Sequence, residues 1–176
     1  MGATITTEQP RIYVACLAAY NEGILHGAWI DAAREPWALW DDVNAILASS
    51  PIAGAEEFAI HDYEGFGPVR ICEYDGLDHV SELAGFIAEH GAVGAALIHH
   101  CDCDLEEARD ALSDRYLGSY TSLADYVQEI TEETTDIPKS LRYYIDWQAM
   151  ARDAEISGDL FTLTTEYDVV HVFAGS

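Results

Sequence analysis

The chain carries far more acidic than basic side chains, and this imbalance most constrains how it can fold. It has 32 Asp and Glu residues but only eight Lys and Arg, a formal net charge of −24 at pH 7 over 176 residues. Self-repulsion of this size opposes a compact state. Because 49% of the residues are hydrophobic and 11% aromatic, the composition is nevertheless that of a folded protein and not of a disordered acidic chain.

The acidic residues are distributed along the whole chain. Residues 11–73 and 115–176 each have a net charge of −7, and residues 74–114 have a net charge of −9. An acidic tail would instead collect its carboxylates in one block. The carboxylates are therefore expected on folded elements, and nucleic acid is excluded as a partner because its phosphates repel such a surface.

The composition also bears on the cellular compartment. No segment approaches the ~18 consecutive apolar residues of a membrane-spanning helix, and the polar N-terminus lacks the plan of a signal peptide. Four cysteines in a chain without an export signal are typical of reduced thiols. The sequence therefore predicts a cytoplasmic protein without a membrane partner.

The N-terminal part predicts an antiparallel sheet with one helix. A turn at residues 21–23 between two runs of β-forming residues predicts a hairpin. Pro36 is suited to the first turn of a helix that runs to about Leu47. The predicted strands are residues 11–17, 24–30, 58–63 and 69–74.

Later segments predict amphipathic helices with carboxylates opposite the apolar face. Two of them cover residues 77–90 and 104–114, and a third begins with a capping-box pattern at Ser122 and Asp125. Pro138 stops this third helix. The remaining predicted elements are a helix over residues 141–154 and a closing hairpin over residues 160–164 and 169–173.

These elements predict an α+β fold of three small domains in sequence. A flexible N-terminus at residues 1–10 precedes an antiparallel sheet with a helix at residues 11–73. A central helical bundle follows at residues 74–114. The C-terminal helices, with a small antiparallel sheet, occupy residues 115–176.

The carboxylate pattern suggests a partner. Ordinary helices place Lys and Arg among their acids at i, i+4, and such partners are scarce here. Duplex DNA carries one charge per ~1.7 Å of axis, so 24 charges correspond to roughly 12 base pairs, or about 41 Å of duplex. Such a protein can occupy the cationic groove of a DNA-binding protein. The candidate partner-binding carboxylates are Asp41, Asp42, Glu56, Glu57, Asp62, Glu64, Asp78, Glu82, Glu89, Glu106, Asp110, Asp114, Asp125, Glu129, Glu132 and Glu133.

Three long segments closely resemble ArdA-type antirestriction proteins: RIYVACLAAYNEGILHGAWID (11–31), EEFAIHDYEGF (56–66) and IPKSLRYYIDWQAMARDAEISGD (137–159). The resemblance covers nearly the whole chain in the same order and is looser in the helical middle. It implies an elongated, three-domain DNA mimic of mobile-element origin that forms a homodimer through its C-terminal domain. It also implies that the protein occupies the DNA-binding site of type I restriction–modification enzymes, and so blocks cleavage and often methylation.

Residues 138–153 correspond to the antirestriction motif of that family, near its dimer contact. Their apolar and aromatic side chains suit the core of an interface. Alternatively, the same side chains fill the core of the monomer. The candidate interface residues are Leu141, Tyr144, Ile145, Asp146, Trp147 and Met150.

One cluster, from His99 to Asp104, has the residue types of a metal site. His and Cys are zinc ligands, but structural zinc sites usually add a second, distant pair, which is missing here. Capping of the next helix by Asp102 or Asp104 is the simpler interpretation. No metal, cofactor or catalytic activity is therefore predicted. The alternatives are an acidic module that binds another basic DNA-binding protein and, less favoured, a metal-dependent enzyme that uses this cluster.

Overall fold

The computed structural model describes residues 8–176, which form six α-helices and two three-stranded antiparallel sheets. This architecture confirms the predicted α+β class. The chain divides into two compact units, one ending at Cys103 and the other beginning at Asp104. The division into three domains stays a prediction, and most of the flexible N-terminus predicted for residues 1–10 lies outside the described residues.

The first unit is built around a sheet in which β1 lies between β2 and β3. Alternate side chains of β1, such as Ile12 and Val14, are fully buried, as expected for one covered face of a sheet. Helix α2 contacts β1 and β2 and buries Leu39 and Val43. The elements of this unit are β1 (Arg11–Cys16), α1 (Leu17–Asn21), β2 (Gly27–Asp31), α2 (Pro36–Ala48), β3 (Phe58–Glu64) and α3 (Leu77–His100).

Two predictions for the first unit are corrected by the structure. The hairpin of β1 and β2 is confirmed, but the short helix α1 leads out of β1 and buries Ala19, so residues 24–26 are not part of the returning strand. The strand predicted at residues 69–74 is wrong, because residues 69–72 have no regular secondary structure and residues 73–74 lie in a turn. Their contact with the sheet is a hydrogen bond from the Ile60 N–H to the Glu73 carbonyl, 2.9 Å long.

Helix α3 is longer than the predicted helix over residues 77–90. Gly91 has φ 65° and ψ −145°, a conformation that glycine adopts more readily than other residues. After Gly91 the helix continues to His100. The added segment buries Leu97 and Ile98. The added segment belongs to the first unit, as does the rest of α3. In the earlier part of the helix, the Ser81 hydroxyl donates to the Arg34 carbonyl at 2.5 Å.

The second unit has a sheet in which β6 lies between β4 and β5. Helices α5 and α6 pack on each other, and Leu123, Val127, Ala151 and Val172 form the core beneath them. The predicted closing hairpin is confirmed. The elements are α4 (Leu105–Asp110), a π-helical turn (Ala111–Arg115), β4 (Tyr116–Tyr120), α5 (Leu123–Thr134), a 3₁₀ turn (Arg142–Tyr144), α6 (Trp147–Ser157), β5 (Leu160–Glu166) and β6 (Val169–Ala174).

Helix boundaries in the second unit follow local caps. The Ser122 hydroxyl accepts from the Asp125 N–H at 3.2 Å, which confirms Ser122 as an N-cap. The carboxylate of Asp104 accepts from the Glu107 N–H at 3.0 Å, so Asp104, and not the alternative Asp102, caps α4. The helix predicted at residues 141–154 begins later, because Asp146 caps it by accepting from the Ala149 N–H at 3.0 Å. No helix among residues 8–176 is long and apolar enough to cross a membrane.

Candidate functional site

The sixteen candidate carboxylates lie at the surface of both units. Fourteen are exposed, and the other two, Asp42 and Glu64, are half-buried. In α3, Asp78 and Glu82 are one helical turn apart and exposed, whereas Val80 is buried. Positions i and i+4 of a helix share a face, so the sequence periodicity does place these carboxylates on the solvent side.

The two half-buried carboxylates are those that form ion pairs with arginines. Arg11 pairs with Glu64 across β1 and β3, and Arg34, just before α2, pairs with Asp42 in the middle of that helix. Each arginine cancels one negative charge and holds the carboxylate against the protein. Asp42 and Glu64 are therefore less available to a partner than the fourteen exposed carboxylates.

Helix α5 presents the acids Asp125, Glu129, Glu132 and Glu133 to solvent. Tyr120 of β4 lies close enough to Glu129 for this carboxylate to act on its phenol. Burial raises the pKa of Tyr120, and the negative charge of Glu129 raises that pKa further. The sequence pattern did not reveal this contact, because β4 was not among the predicted strands.

The acids around α4 are arranged less regularly than the sequence spacing predicts. Glu106 and Asp110 lie on α4, but Asp114 lies in the π-helical turn that follows, where the wider turn breaks the i, i+4 alignment. All three are exposed. Glu107, which was not among the candidates, is exposed as well and lies 3.9 Å from the Arg115 guanidinium.

Part of the candidate dimer segment is exposed in the single chain. Tyr144 is 84% exposed and Leu141 55% exposed, and Met150 is exposed too. Tyr143, which sequence reasoning did not select, is even more exposed than Tyr144. These four side chains do not fill the core of their own unit, so the monomer-core interpretation does not account for them.

The rest of the candidate dimer segment serves the unit itself. Trp147 is half-buried and packs against the core under α5 and α6. Asp146 caps α6, and Ile145 is half-buried. The six candidate residues therefore divide into an exposed apolar set and a set that stabilises the local fold.

Comparison with models of known protein families identifies the family of this chain. The family model described as "Antirestriction protein (ArdA)" matches residues 12–169. This chain belongs to the ArdA family. The match extends from β1 to the first residue of β6 and includes the carboxylate-bearing helices and the candidate dimer segment. No match was found among curated proteins.

Membership of the ArdA family makes this chain an antirestriction protein and confirms the resemblance seen in the sequence. Restriction enzymes are accordingly the class of protein with which it interacts. Any account of how this protein acts has to explain two surface features. These are the exposed carboxylates and the exposed apolar residues of the segment around Tyr144.

The cluster from His99 to Asp104 has a structural role at the end of α3. Asp104 caps α4, and His99, Asp102 and Cys103 line an open pocket beside Arg70. Burial raises the pKa of the Cys103 thiol, and nearby carboxylates raise it further, which disfavours the thiolate that metals bind. Residues 8–176 contain no group of three or more His, Cys, Asp or Glu placed to hold a metal ion.

Proposed function

We propose that this ArdA protein is a DNA mimic that occupies the DNA-binding groove of type I restriction–modification enzymes and blocks cleavage and methylation. The observation that carries this proposal is the set of fourteen exposed carboxylates, in a chain whose net charge is −24. They take the place of phosphates opposite the Lys and Arg side chains of the enzyme. No chemical step is required, because occupation of the groove excludes DNA.

Electrostatics supports such competition in two ways. A surface of one sign speeds association with a groove of the opposite sign, and the effect falls as ionic strength rises. The arginines at positions 11, 34 and 115 contact carboxylates of their own unit, so part of the small positive charge of the chain is already paired. Each such pair neutralises one positive and one negative charge together, so the net charge of −24 is unchanged and is carried by the remaining side chains.

The exposed apolar residues around Tyr144 support a homodimer. Exposed aromatic and aliphatic side chains that lie close together are typical of interface cores. Leu141, Tyr144 and Met150 belong to the segment that the ArdA resemblance associates with dimerisation. A dimer would offer two acidic surfaces to the enzyme.

The proposal is tested by cleavage of unmodified plasmid with a purified type I restriction enzyme. Increasing amounts of the protein are added at low and at high salt, and methyl transfer to the same DNA is followed in parallel. We expect inhibition at near-stoichiometric amounts that is relieved by competitor DNA and weakened by salt. Matched reactions with bovine serum albumin, another acidic protein, control for nonspecific charge effects.

The same experiment separates the alternatives. If cleavage by several type I families proceeds unchanged at excess protein, groove occupation of these enzymes is wrong. An acidic module directed at another basic DNA-binding protein would then be the better interpretation. If inhibition is found but competitor DNA does not relieve it, the protein acts outside the DNA-binding groove and mimicry is wrong.

A further inference from the structure

The first unit contains an open pocket that combines an apolar interior with carboxylates. It has a volume of about 410 Å³ and is lined by Leu17, Glu56, Glu57, Phe58 and Tyr74. Glu56 and Glu57 are exposed, whereas Leu17 and Phe58 are half-buried. The pocket thus has an apolar floor beneath two negative charges.

Backbone contacts fix one wall of the pocket. The Leu17 N–H donates to the Glu57 carbonyl at 3.0 Å, which ties the start of α1 to the residue before β3. Phe58 is paired with Cys16 in the sheet. The Phe58 ring also meets the Trp40 ring edge-on, with ring centroids 5.7 Å apart, so its orientation is set before any partner binds.

Another residue that lines the pocket carries an exposed aromatic ring. The hydrogen bond from the Ile60 N–H to the Glu73 carbonyl, 2.9 Å long, holds the chain beside β3 just before Tyr74. Tyr74 is nevertheless 72% exposed. A large ring held at the mouth of a pocket has apolar surface left to bury against a partner.

The charges around the pocket select the partner. None of the described residues that line it is basic, so nothing in its wall neutralises Glu56 and Glu57. A planar group that is positively charged and can stack on an aromatic ring satisfies both features of the site. The guanidinium of arginine has these properties, because it stacks on ring faces and donates paired hydrogen bonds to carboxylates.

We propose that this pocket receives an arginine side chain of the restriction enzyme. The guanidinium stacks on Tyr74, its aliphatic stem lies along Leu17 and Phe58, and Glu56 and Glu57 accept its hydrogen bonds. This inference rests on the proposed function, since the arginine comes from the groove that binds DNA. It adds a focal contact to a surface that otherwise acts through many dispersed charges.

The first test compares the affinity of three variants for the type I enzyme. Tyr74→Ala removes the stacking surface and is expected to weaken binding about tenfold, between the values for exposed and for desolvated cation–π contacts. Tyr74→Phe keeps the ring and should stay within about twofold of wild type. Tyr167→Ala is the matched control, because Tyr167 is 95% exposed, lies in the second unit and is distant in sequence from the pocket.

Circular dichroism and thermal unfolding verify that each variant is folded before affinity is measured. If Tyr74→Ala binds like wild type, or no more weakly than Tyr167→Ala, the arginine pocket is wrong and the dispersed-charge mechanism stands alone. If Tyr74→Phe loses as much affinity as Tyr74→Ala, the phenol rather than the stacked ring is responsible, and the proposal is overturned.

A second test needs no restriction enzyme and separates the two proposals. The protein is titrated with N-acetyl-arginine amide and, for comparison, N-acetyl-lysine amide, while NMR follows the rings of Phe58 and Tyr74. We expect shifts that saturate with the arginine amide at millimolar concentration, and weaker ones with lysine. The double variant Glu56→Gln, Glu57→Gln should abolish saturation. Equal responses to both amides, or none, would overturn the pocket even if the protein inhibits cleavage.

Discussion

The hydroxyl of Tyr116 lies 2.8 Å from Nδ1 of His171, and Nε2 of the same ring lies 3.0 Å from the hydroxyl of Thr165. One imidazole on the central strand thus bridges both edge strands of the C-terminal sheet. Burial lowers the pKa of His171, so the fold favours the neutral ring. Two residues further along the same strand, Phe173 is fully buried and stacks on Phe161.

The bridge predicts a pH dependence of stability. The ordinary pKa of His is about 6.5, and the folded value is lower, so the unfolded chain binds more protons between the two. The stabilising effect of the neutral His171 ring is therefore present above about pH 6.5 and is lost as the pH falls towards the pKa of the folded state. We expect the difference in urea midpoint between wild type and His171→Gln to be larger at pH 7.5 than at pH 5.5.

Comparing each variant with wild type at the same pH cancels the effect of the many carboxylates, because these titrate in both proteins. His79→Gln is the control for the substitution itself, because His79 is exposed on α3 in the other unit and its replacement leaves the bridge of the C-terminal sheet intact. A difference for His171→Gln that is the same at both pH values would show that the ring contributes packing alone.

The cap of α5 predicts a measurable loss of stability. Ser122→Ala removes the hydroxyl that accepts from the Asp125 N–H and should lower the free energy of unfolding by about 1 kcal/mol. Thr121→Ala, at the exposed preceding residue, is the matched control and should change it by less than about 0.5 kcal/mol. Chemical denaturation measures both. Equal effects at the two positions would contradict the capping role.

The exposed and packed parts of the dimer segment predict opposite phenotypes. Tyr144→Ala should leave thermal unfolding of a dilute sample unchanged and weaken self-association, measured by sedimentation equilibrium. Trp147→Ala removes a ring from the core and should cost about 2–3 kcal/mol of stability, somewhat less than a fully buried ring. A Tyr144→Ala protein that associates as tightly as wild type would place the dimer contact elsewhere.

The dispersed carboxylates predict small single effects. Glu106→Gln, Glu129→Gln and Glu132→Gln should each raise the inhibitory concentration less than about fivefold, because an exposed charge pair is worth at most about 1 kcal/mol. The triple variant should raise the inhibitory concentration by roughly the product of the three single factors. Titrations of restriction inhibition at fixed salt measure this, and abolition by any one of these substitutions would refute the dispersed mechanism.

The pattern of apolar residues was sufficient to predict the regular parts of this fold. The helix from Pro36 and the closing hairpin follow local signals, and so do the caps at Asp104 and Ser122. The segment after Gly91 was missed, because its run of Gly and Ala with buried Leu97 and Ile98 has no polar face to reveal a helical period. Strand β4 was missed because its pairing with β6 comes from distant residues.

The candidate site was predicted in outline but not in its pairings. The sequence indicates which carboxylates face solvent, since helix periodicity decides exposure. It cannot indicate that Arg34 pairs with Asp42, that Tyr120 lies near Glu129, or that Tyr74 and Phe58 line the same pocket. Such contacts depend on how loops and strands far apart in the chain meet, and local spacing carries no information on them.

The pairing of Arg11 and Arg34 with nearby acids leaves most carboxylates of the described chain to repel one another, and this sets folding and inhibition against each other. Mobile cations in the buffer weaken that repulsion and so stabilise the native state. The same cations compete with the enzyme's arginines and lysines. Added salt therefore raises the stability of the inhibitor and lowers its affinity for the enzyme. In dilute buffer the fold is least stable and binding to the target is tightest.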